Sequence, residues 1–252
     1  MTKTKTALVT AAAGVGIGSA IARQLAADGM RVVVTDAHER RCQEYAGKIA
    51  EETGAEVVGL TLDVTDATRV EAVMDETAER FGGLDVLVNN AGYNKIEPVA
   101  EMQLETWRRS LDIDLNGTFY CMRFALPHMI RGGAGSVINI SSNGAWDCTV
   151  EHGSAYAAAK AGVCALTRVA AAENGKHGIR VNAVAPGLIY NDFLRKIYPA
   201  EFFDGYAQNR SFVGRVGEPQ DVANLVSFLA SDKAGYITGE TYGISGGVFP
   251  HA

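Results

Sequence analysis

Residues Thr6–Ala22 read TALVTAAAGVGIGSAIA: a short apolar run, then glycines at positions 14, 16 and 18, then the start of a stretch with helical period. Glycines in a strand-to-helix turn let the backbone approach a ligand closely, and the free N–H groups and positive end of the helix attract an anion. A glycine-rich string alone is weak evidence, but this one has the strand and helix that a pyrophosphate-binding turn requires. We therefore predict a dinucleotide-binding loop, with a purely structural tight turn as the alternative.

The alternation that begins here continues along the chain. Strands are predicted at Thr6–Thr10, Arg31–Thr35, Glu56–Leu60, Asp85–Val88, Ser136–Ile140, Ile179–Val184 and Thr241–Ser245, and helices at Ser19–Asp28, Ala67–Phe81, Leu104–Ile130, Ser154–Asn174 and Pro219–Ala230. The early strands are almost continuously apolar, as expected for strands covered by helices on both faces. The pattern predicts an α/β fold, a single-domain Rossmann-like doubly wound parallel sheet spanning residues 1–252. Only residues 188–217 depart from this alternation of strands and helices, and a long insertion of this kind is typical of a substrate loop.

Composition excludes several classes of function. The 252 residues are 47% hydrophobic and 21% charged, as in an average globular domain. The net charge of −6 and the absence of a basic run argue against nucleic acid as a partner. The chain has no apolar stretch of about 18 residues, so no membrane span is expected. Residues Met1–Lys5 are polar and lead directly into a predicted strand, so no signal peptide is expected. Four scattered cysteines without CxxC spacing argue against disulfides and a metal site, and favour a cytoplasmic location.

The acidic residue after the second strand bears on cofactor choice. Asp36 lies 18 residues after Gly18, near the offset at which an acid accepts hydrogen bonds from an adenosine ribose. A carboxylate there repels a 2′-phosphate, so NAD is predicted. Arg40 and Arg41 could compensate, which leaves NADP as the less favoured cofactor. The structural alternative for Asp36 is a strand-end cap.

Further motifs follow in a characteristic order: Asn89-Asn90-Ala91-Gly92, Ser141-Ser142, Tyr156-Ala157-Ala158-Ala159-Lys160 and Pro186-Gly187. Together they resemble the classical short-chain dehydrogenase/reductase family, over about Thr6 to Gly247. Two departures from the family pattern stand out. Ala11 replaces the first glycine of the loop, and the remaining glycines come one residue later than usual. Ser142 precedes Tyr156 by 14 residues, one more than the commonest family spacing.

The tyrosine and lysine form the predicted catalytic core. Four positions apart on a helix, Tyr156 and Lys160 project from one face. An ammonium beside a phenol stabilises the phenolate, which would make the tyrosine a usable acid and base. By resemblance, Lys160 also binds the nicotinamide ribose, Ser142 holds the substrate oxygen and Asn116 supports a water chain. Counting alone would select Asn143 instead of Ser142, and Asn116 could be a helix cap or kink residue.

The resemblance also implies a set of cofactor-binding residues: Gly14, Gly16, Ile17, Gly18, Asp36, Asp63, Val64, Asn90, Ala91, Gly92, Tyr156, Lys160, Pro186, Gly187 and Ile189. Two of them have structural alternatives. Asp63 could cap the following helix, and Asn90 could be a strand-end turn residue. Asn191 is a further candidate, for contacts to the nicotinamide carboxamide.

The segment before Gly217 is rich in aromatic residues: Tyr190, Phe193, Tyr198, Phe202, Phe203, Tyr206 and Phe212. Their density favours an apolar substrate and its lid, with packing or a subunit contact as the alternative. Charged residues of the same segment, namely Arg195, Lys196 and Arg210, could pair with a carboxylate or with a thioester's phosphates, or could be solvated. Four residues lie where family members line the substrate pocket: Trp146, Asp147, Glu151 and His152, the last a candidate second proton donor.

These interpretations predict an oxidoreductase that transfers a hydride between NAD(H) and a cyclic or bulky, apolar secondary alcohol or its ketone. One alternative is a 3-oxoacyl-thioester reductase using NADPH, against which Asp36 argues. Another is a non-catalytic NAD-binding regulator, which would typically lack the tyrosine or the lysine. The resemblance also implies a homotetramer or homodimer, with contacts through helices at residues 104–130 and 154–174.

Overall fold

One parallel sheet forms the centre of the molecule. Its strands are β1 (Thr6–Val9), β2 (Arg31–Asp36), β3 (Val57–Thr61), β4 (Val86–Asn89), β5 (Gly135–Ile140), β6 (Ile179–Pro186) and β7 (Thr241–Ile244), in the computed structural model, which describes residues 4–147, 153–191, 194 and 198–250. The strand order is β3-β2-β1-β4-β5-β6-β7. The direction of winding reverses between β1 and β4, and such a switch point opens a crevice at the carboxyl ends of the strands.

Helices cover both faces of the sheet. They are α1 (Ile17–Ala27), α2 (Glu39–Thr53), α3 (Ala67–Phe81), α4 (Leu104–Ser110), α5 (Gly117–Gly132), α6 (Ser154–Asn174), α7 (Ala200–Asn209) and α8 (Pro219–Ala230). Neighbouring strand residues point to opposite faces, so Val9 joins the apolar core beside Leu25 while Leu8 joins the core beside Met74. The doubly wound sheet predicted from the sequence is therefore confirmed. None of the described helices is long and apolar enough to cross a membrane.

The predicted helix at Leu104–Ile130 is interrupted. Between α4 and α5, residues Leu111–Asn116 form a π-helix. A π-turn holds one residue more than an α-turn, so it changes which side chains face inward, and it often marks a functional site. Here it buries Asp114 completely and leaves Asp112 exposed.

The segment at 188–217 is closed at its base. Ile189 forms a parallel bridge with Gly217, Tyr190 N donates to Gly217 O at 2.7 Å, and Gly217 N donates to Leu188 O at 3.0 Å. A Cβ at Gly217 would lie 2.5 Å from Ile189 Cδ1, so a larger residue here would require the Ile189 side chain to move. The segment contains α7, a helix that the sequence did not predict.

Candidate active site

A cavity of about 530 Å³ opens at the carboxyl ends of β4, β5 and β6. Its inner end is polar and is formed by Ser142, Tyr156 and Lys160, among other residues. Its outer wall comes from the 188–217 segment and includes Leu194, Tyr198, Phe202, Tyr206 and Arg210. A volume of this size is typical of sites that enclose a small molecule.

Lys160 is held rigidly at the inner end. Its residue is 3% exposed, and its ammonium donates to the carbonyl of Ile140 at 2.9 Å and contacts Asp114 Oδ1 at 3.0 Å. The same nitrogen lies 5.5 Å from the ring centre of Tyr156. Burial lowers the pKa of Lys160, but the nearby Asp114 carboxylate and Tyr156 oxygen outweigh burial and raise it above its usual range. Lys160 therefore carries a positive charge beside the phenol.

Asp114 supplies the negative charge beneath that lysine. Its Oδ2 accepts a hydrogen bond from Tyr93 N at 3.0 Å, while its Oδ1 meets the ammonium as an ion pair outside good hydrogen-bond alignment. Burial raises the pKa of Asp114, and the charge of Lys160 opposes that rise. A Cβ at Gly92 would lie 3.0 Å from Asp114 Oδ1 and 3.5 Å from Lys160 Nζ, so the loop after β4 passes close to the pair.

Ser142 and Asn143 both line the cavity directly after β5. The hydroxyl of Ser142 accepts from Gly144 N at 3.1 Å and donates to Asn143 Oδ1 at 3.3 Å. The Ser142 hydroxyl thus has a fixed position on the same cavity wall as Tyr156, and Asn143 acts as one of its partners.

The glycine-rich loop is fixed from the neighbouring strand. Asn90 Nδ2 donates to the carbonyls of Thr10 at 3.0 Å and Ala11 at 3.2 Å. A Cβ on Gly18 would lie 2.5 Å from that nitrogen and 2.6 Å from Ala11 O, so only glycine fits. Helix α1 begins at Ile17 without a side-chain cap at Gly16, which keeps its first N–H groups available to an anion.

Ala11, the first departure from the family motif, has a φ of 50°. It is the one non-glycine residue with positive φ in the described ranges. A left-handed conformation costs an L-residue roughly 1–2 kcal/mol. The loop therefore adopts at position 11 a conformation that glycine would adopt without strain.

Asp36 ends β2 and is largely buried. Its Oδ1 accepts from His38 N at 3.1 Å and from Arg41 at 2.9 Å, and it lies 3.1 Å from His38 Nδ1. Arg41 is thus engaged by the carboxylate. In the described part of the chain these partners all contact Oδ1, which leaves Oδ2 for a ligand.

Known proteins show where this chain belongs. A family model described as enoyl-(acyl carrier protein) reductase matches residues 11–249. The chain is 45% identical over 243 residues to (5R,7aS)-5-hydroxy-7a-methyl-1-oxo-2,3,5,6,7,7a-hexahydro-1H-indene-carboxyl-CoA reductase of Mycobacterium tuberculosis, covering 96% of this chain and 92% of that one. A solved short-chain type dehydrogenase/reductase from Mycobacterium ulcerans superposes with a TM-score of 0.92 at 31% identity, covering 97% of this chain and 89% of that one. The chain belongs to the short-chain dehydrogenase/reductase family.

A dehydrogenase relative adds to this result. Cis-4-hydroxycyclohexanecarboxylate dehydrogenase of Sinomonas cyclohexanicum is 41% identical over 245 residues, covering 96% of both chains. As a short-chain dehydrogenase/reductase, the protein is an oxidoreductase that acts on an alcohol or ketone with a nicotinamide cofactor. The family resemblance inferred from the motifs is confirmed.

The structure brings together only part of the predicted site of this short-chain dehydrogenase/reductase. Lining the cavity are Ile17, Asn90, Gly92, Ser142, Tyr156, Lys160, Pro186, Gly187 and Ile189. Outside its lining, on the segments that follow β1, β2, β3 and β4, lie Gly14, Gly16, Gly18, Asp63, Val64 and Ala91, with Asp36 at the end of β2. These segments share one edge of the sheet, as an extended dinucleotide site requires.

Asp63 does not cap the helix that follows it. Its Oδ1 accepts from Thr65 N at 2.9 Å and from the Thr65 hydroxyl at 2.7 Å. The cap of α3 is Asp66, which accepts from Arg69 N at 3.0 Å. The capping alternative for Asp63 is therefore wrong, and its adenine contact stays a prediction.

Asn116, which the resemblance implies supports a water chain, does not reach Lys160 in the structure. Its amide donates to Asp112 Oδ1 at 2.8 Å, and the residue is absent from the cavity lining among the described residues. The side chain that reaches Lys160 from this segment is Asp114. The π-helix explains the correction because it changes which residues of 111–116 face inward. The sequence signal for this contact was an acidic residue, Asp114, placed between the apolar residues Ile113 and Leu115.

The outer wall differs in detail from the aromatic lid that the sequence suggested. Tyr198 and Phe202 stack with ring centres 4.4 Å apart on the cavity wall, whereas Phe212 is 80% exposed. Asn191 also lines the cavity. Several candidates lie outside the described residues: Glu151, His152, Phe193, Arg195 and Lys196.

Charge on the outer wall comes from Arg210. Its guanidinium lies 3.7 Å from the buried carboxylate of Asp147 and 5.3 Å from the ring centre of Tyr206. Among the described residues, no cluster of His, Cys, Asp and Glu side chains could hold a metal ion.

Proposed function

We propose that the protein is an NAD-dependent dehydrogenase/reductase of cyclic or otherwise bulky secondary alcohols and their ketones. The observation that carries this proposal is a phenol and a buried ammonium at the inner end of a cavity whose outer wall is aromatic and aliphatic. The polar end suits proton transfer at a hydroxyl or carbonyl, and the apolar wall suits a hydrocarbon ring.

The residues present fit a dinucleotide. Gly18 and Asn90 shape a loop that leads into the uncapped start of α1, and a carboxylate stands at the end of β2. A bound nicotinamide dinucleotide would accept or supply the hydride. Preference for NAD is supported by Asp36, whose charge repels a 2′-phosphate, and by Arg41, which is already paired with that carboxylate.

Tyr156 is the proposed acid and base. During alcohol oxidation its phenolate takes the hydroxyl proton, and during ketone reduction it returns that proton to the carbonyl oxygen. Lys160 stabilises the phenolate through its charge, and the Ser142 hydroxyl orients the substrate oxygen. Positioned proton transfer of this kind contributes roughly 10²–10⁴ in rate.

Two relatives support a ring substrate, since the name of one contains a hexahydro-indene and that of the other a cyclohexane. Arg210 adds a cation to the cavity wall, 3.7 Å from the Asp147 carboxylate on the same wall. A ring alcohol that carries a carboxylate would match both the apolar surface and this charge.

A thioester reductase is the second candidate. The carboxyl-CoA reductase of Mycobacterium tuberculosis and the acyl-carrier-protein description of the family model favour it. A preference of the enzyme for NADPH would support this candidate, and Asp36 argues against that preference.

The test follows the absorbance of reduced nicotinamide with NAD or NADP. Substrates include butan-2-ol, cyclohexanol, cis-4-hydroxycyclohexanecarboxylate and a polycyclic alcohol, and a 3-oxoacyl thioester is tested with the reduced cofactors. We expect turnover of ring alcohols with NAD, and loss of turnover in Tyr156→Phe with cofactor binding retained. Turnover of the thioester alone, with NADPH, would contradict the proposal.

Self-association and a cytoplasmic location also stay proposals. Helices α4, α5 and α6 expose large apolar side chains, including Trp107 at 39%, Phe119 at 46% and Val169 at 54%. Such surfaces support contacts between copies in a homotetramer or homodimer. Sedimentation at micromolar concentration that shows only monomer would contradict this assembly.

A further inference from the structure

Asp114 places a carboxylate in the interior of the protein, where acidic side chains are rarely found unless they are paired. It is fully buried, and it contacts the Tyr93 backbone N–H and the ammonium of Lys160, at 3.0 Å each, and the Ser110 hydroxyl. We infer that Asp114 is a positioning residue that holds Lys160 charged and sets the pH at which the Tyr156–Lys160 pair releases its proton. The inference rests on the proposed acid–base role of Tyr156.

A purely structural role does not account for the charge. Burying an ion pair removes two charges from water, and this cost commonly equals or exceeds their attraction. Besides Lys160, Asp114 accepts hydrogen bonds from Tyr93 N and from the Ser110 hydroxyl, and the neutral amide oxygen of an asparagine could accept such bonds equally well. What a carboxylate adds at this position is negative charge next to Lys160.

That charge has a definite effect on proton release. The carboxylate favours the ammonium form of Lys160, because an opposite charge within about 4–6 Å stabilises an ionised group. It also cancels part of the positive field that Lys160 exerts on the phenol. Tyr156 and Lys160 are close enough to lose one proton as a coupled pair. Removing the negative charge therefore lowers the pH of proton loss, whichever of the two residues is taken as the donor.

Other titratable groups lie near the pair. Within the described ranges, α6 contributes Cys164 beside Lys160, and the remaining titratable groups that line the cavity are Tyr93, Asp147, Tyr198, Tyr206 and Arg210. The two buried carboxylates have different cationic neighbours: Asp147 lies 3.7 Å from Arg210, whereas Asp114 lies 3.0 Å from Lys160.

Asp114→Asn tests the inference, since it keeps the shape and removes the charge. The matched control is Asp112→Asn, which removes an equal charge from an exposed position of the same π-helix. We expect the midpoint of the pH profile for alcohol oxidation to fall by about one pH unit or more in Asp114→Asn. The midpoint of Asp112→Asn should stay at the wild-type value.

A second measurement needs no substrate or cofactor. The ultraviolet tyrosinate signal of Tyr156 is obtained by subtracting the titration of Tyr156→Phe, in the wild-type and Asp114→Asn backgrounds. The same downward shift is expected. If both midpoints of Asp114→Asn match the wild type, the inference is wrong. A tyrosinate shift without turnover on any alcohol would instead keep the inference and count against the substrate proposal.

Should Asp114→Asn fail to fold, a measurement on the wild-type protein tests whether Lys160 is held in its charged form. The carbon-13 resonance of Lys160 Cε, assigned by comparison with Lys160→Arg, should remain that of an ammonium above pH 10.4, the ordinary lysine value. Loss of the ammonium signal below that pH would overturn the inference.

Discussion

Gly18→Ala is expected to destabilise the protein through the glycine-rich loop. The added Cβ would lie 2.5 Å from Asn90 Nδ2 and 2.6 Å from Ala11 O, whereas real Cβ contacts are essentially never shorter than 3.0 Å. The Ala11 carbonyl belongs to a backbone already held at a φ of 50°, so it has little room to move. Asn90 must therefore swing away, which breaks its bonds to the carbonyls of Thr10 and Ala11.

The size of the effect follows from these contacts. Two lost hydrogen bonds cost about 1 kcal/mol each, and residual overpacking adds about 1 kcal/mol. We expect a loss of about 3 kcal/mol in the free energy of unfolding, or a fall in melting temperature of roughly 6–12 °C for a domain of this size.

Gly14→Ala is the matched control, because a Cβ at Gly14 would meet nothing within 4 Å. Urea denaturation of the cofactor-free variants measures the difference. Equal midpoints for Gly18→Ala and Gly14→Ala would refute the proposed clash. Retention of cofactor affinity by Gly18→Ala would separately contradict the role of this loop in dinucleotide binding.

Three further substitutions test the site. Lys160→Met leaves Asp114 buried without its counter-ion, which should cost about 3–5 kcal/mol at neutral pH. Burial raises the pKa of Asp114, and Lys160 opposes that rise, so the variant without Lys160 favours the protonated carboxyl in the folded state. The free energy of unfolding of this variant should therefore fall with increasing pH, as denaturation at about pH 5 and pH 8 would show. Asp36→Ala should release Arg41 and raise the ratio of kcat/KM for NADP over NAD by at least about tenfold, and an unchanged ratio would contradict the cofactor proposal. Arg210→Met should raise KM for cis-4-hydroxycyclohexanecarboxylate and leave KM for cyclohexanol unchanged, and an equal rise for both would point to a packing role.

Local signals predicted much of the fold. The bounds of α3, α6 and α8 are those expected from the sequence, helped at α3 by Asp66 at its start and Gly82 at its end, and at α8 by Pro219 in the first turn. Helix α2 was missed because it is polar overall: Cys42, Ala46 and Ile49 have helical spacing, but they are the only buried residues in its 15 positions.

The residues of the candidate site also differ in whether local sequence signals identify them. Ser142, Tyr156 and Lys160 could be found because each belongs to a short motif next to a recognisable element. Asp114 could not, because its position depends on a π-helix whose inward-facing side chains are set by contacts with Lys160 and Tyr93. Helix α7 was missed although Phe202, Phe203 and Tyr206 share one helical face, because this ten-residue helix lies within a segment that was interpreted as a loop.

The bridge between Ile189 and Gly217 joins the two ends of the 188–217 segment, which forms the outer wall of the cavity. Its base is joined by backbone hydrogen bonds, which do not depend on the side chains between them. The 188–217 segment can therefore vary in sequence and length while Ser142 stays in place after β5 and Tyr156 and Lys160 stay in place on α6. On the proposed role of this segment as the substrate loop, grafting it between relatives is expected to transfer substrate preference while the proposed proton-transfer residues of the recipient stay in place.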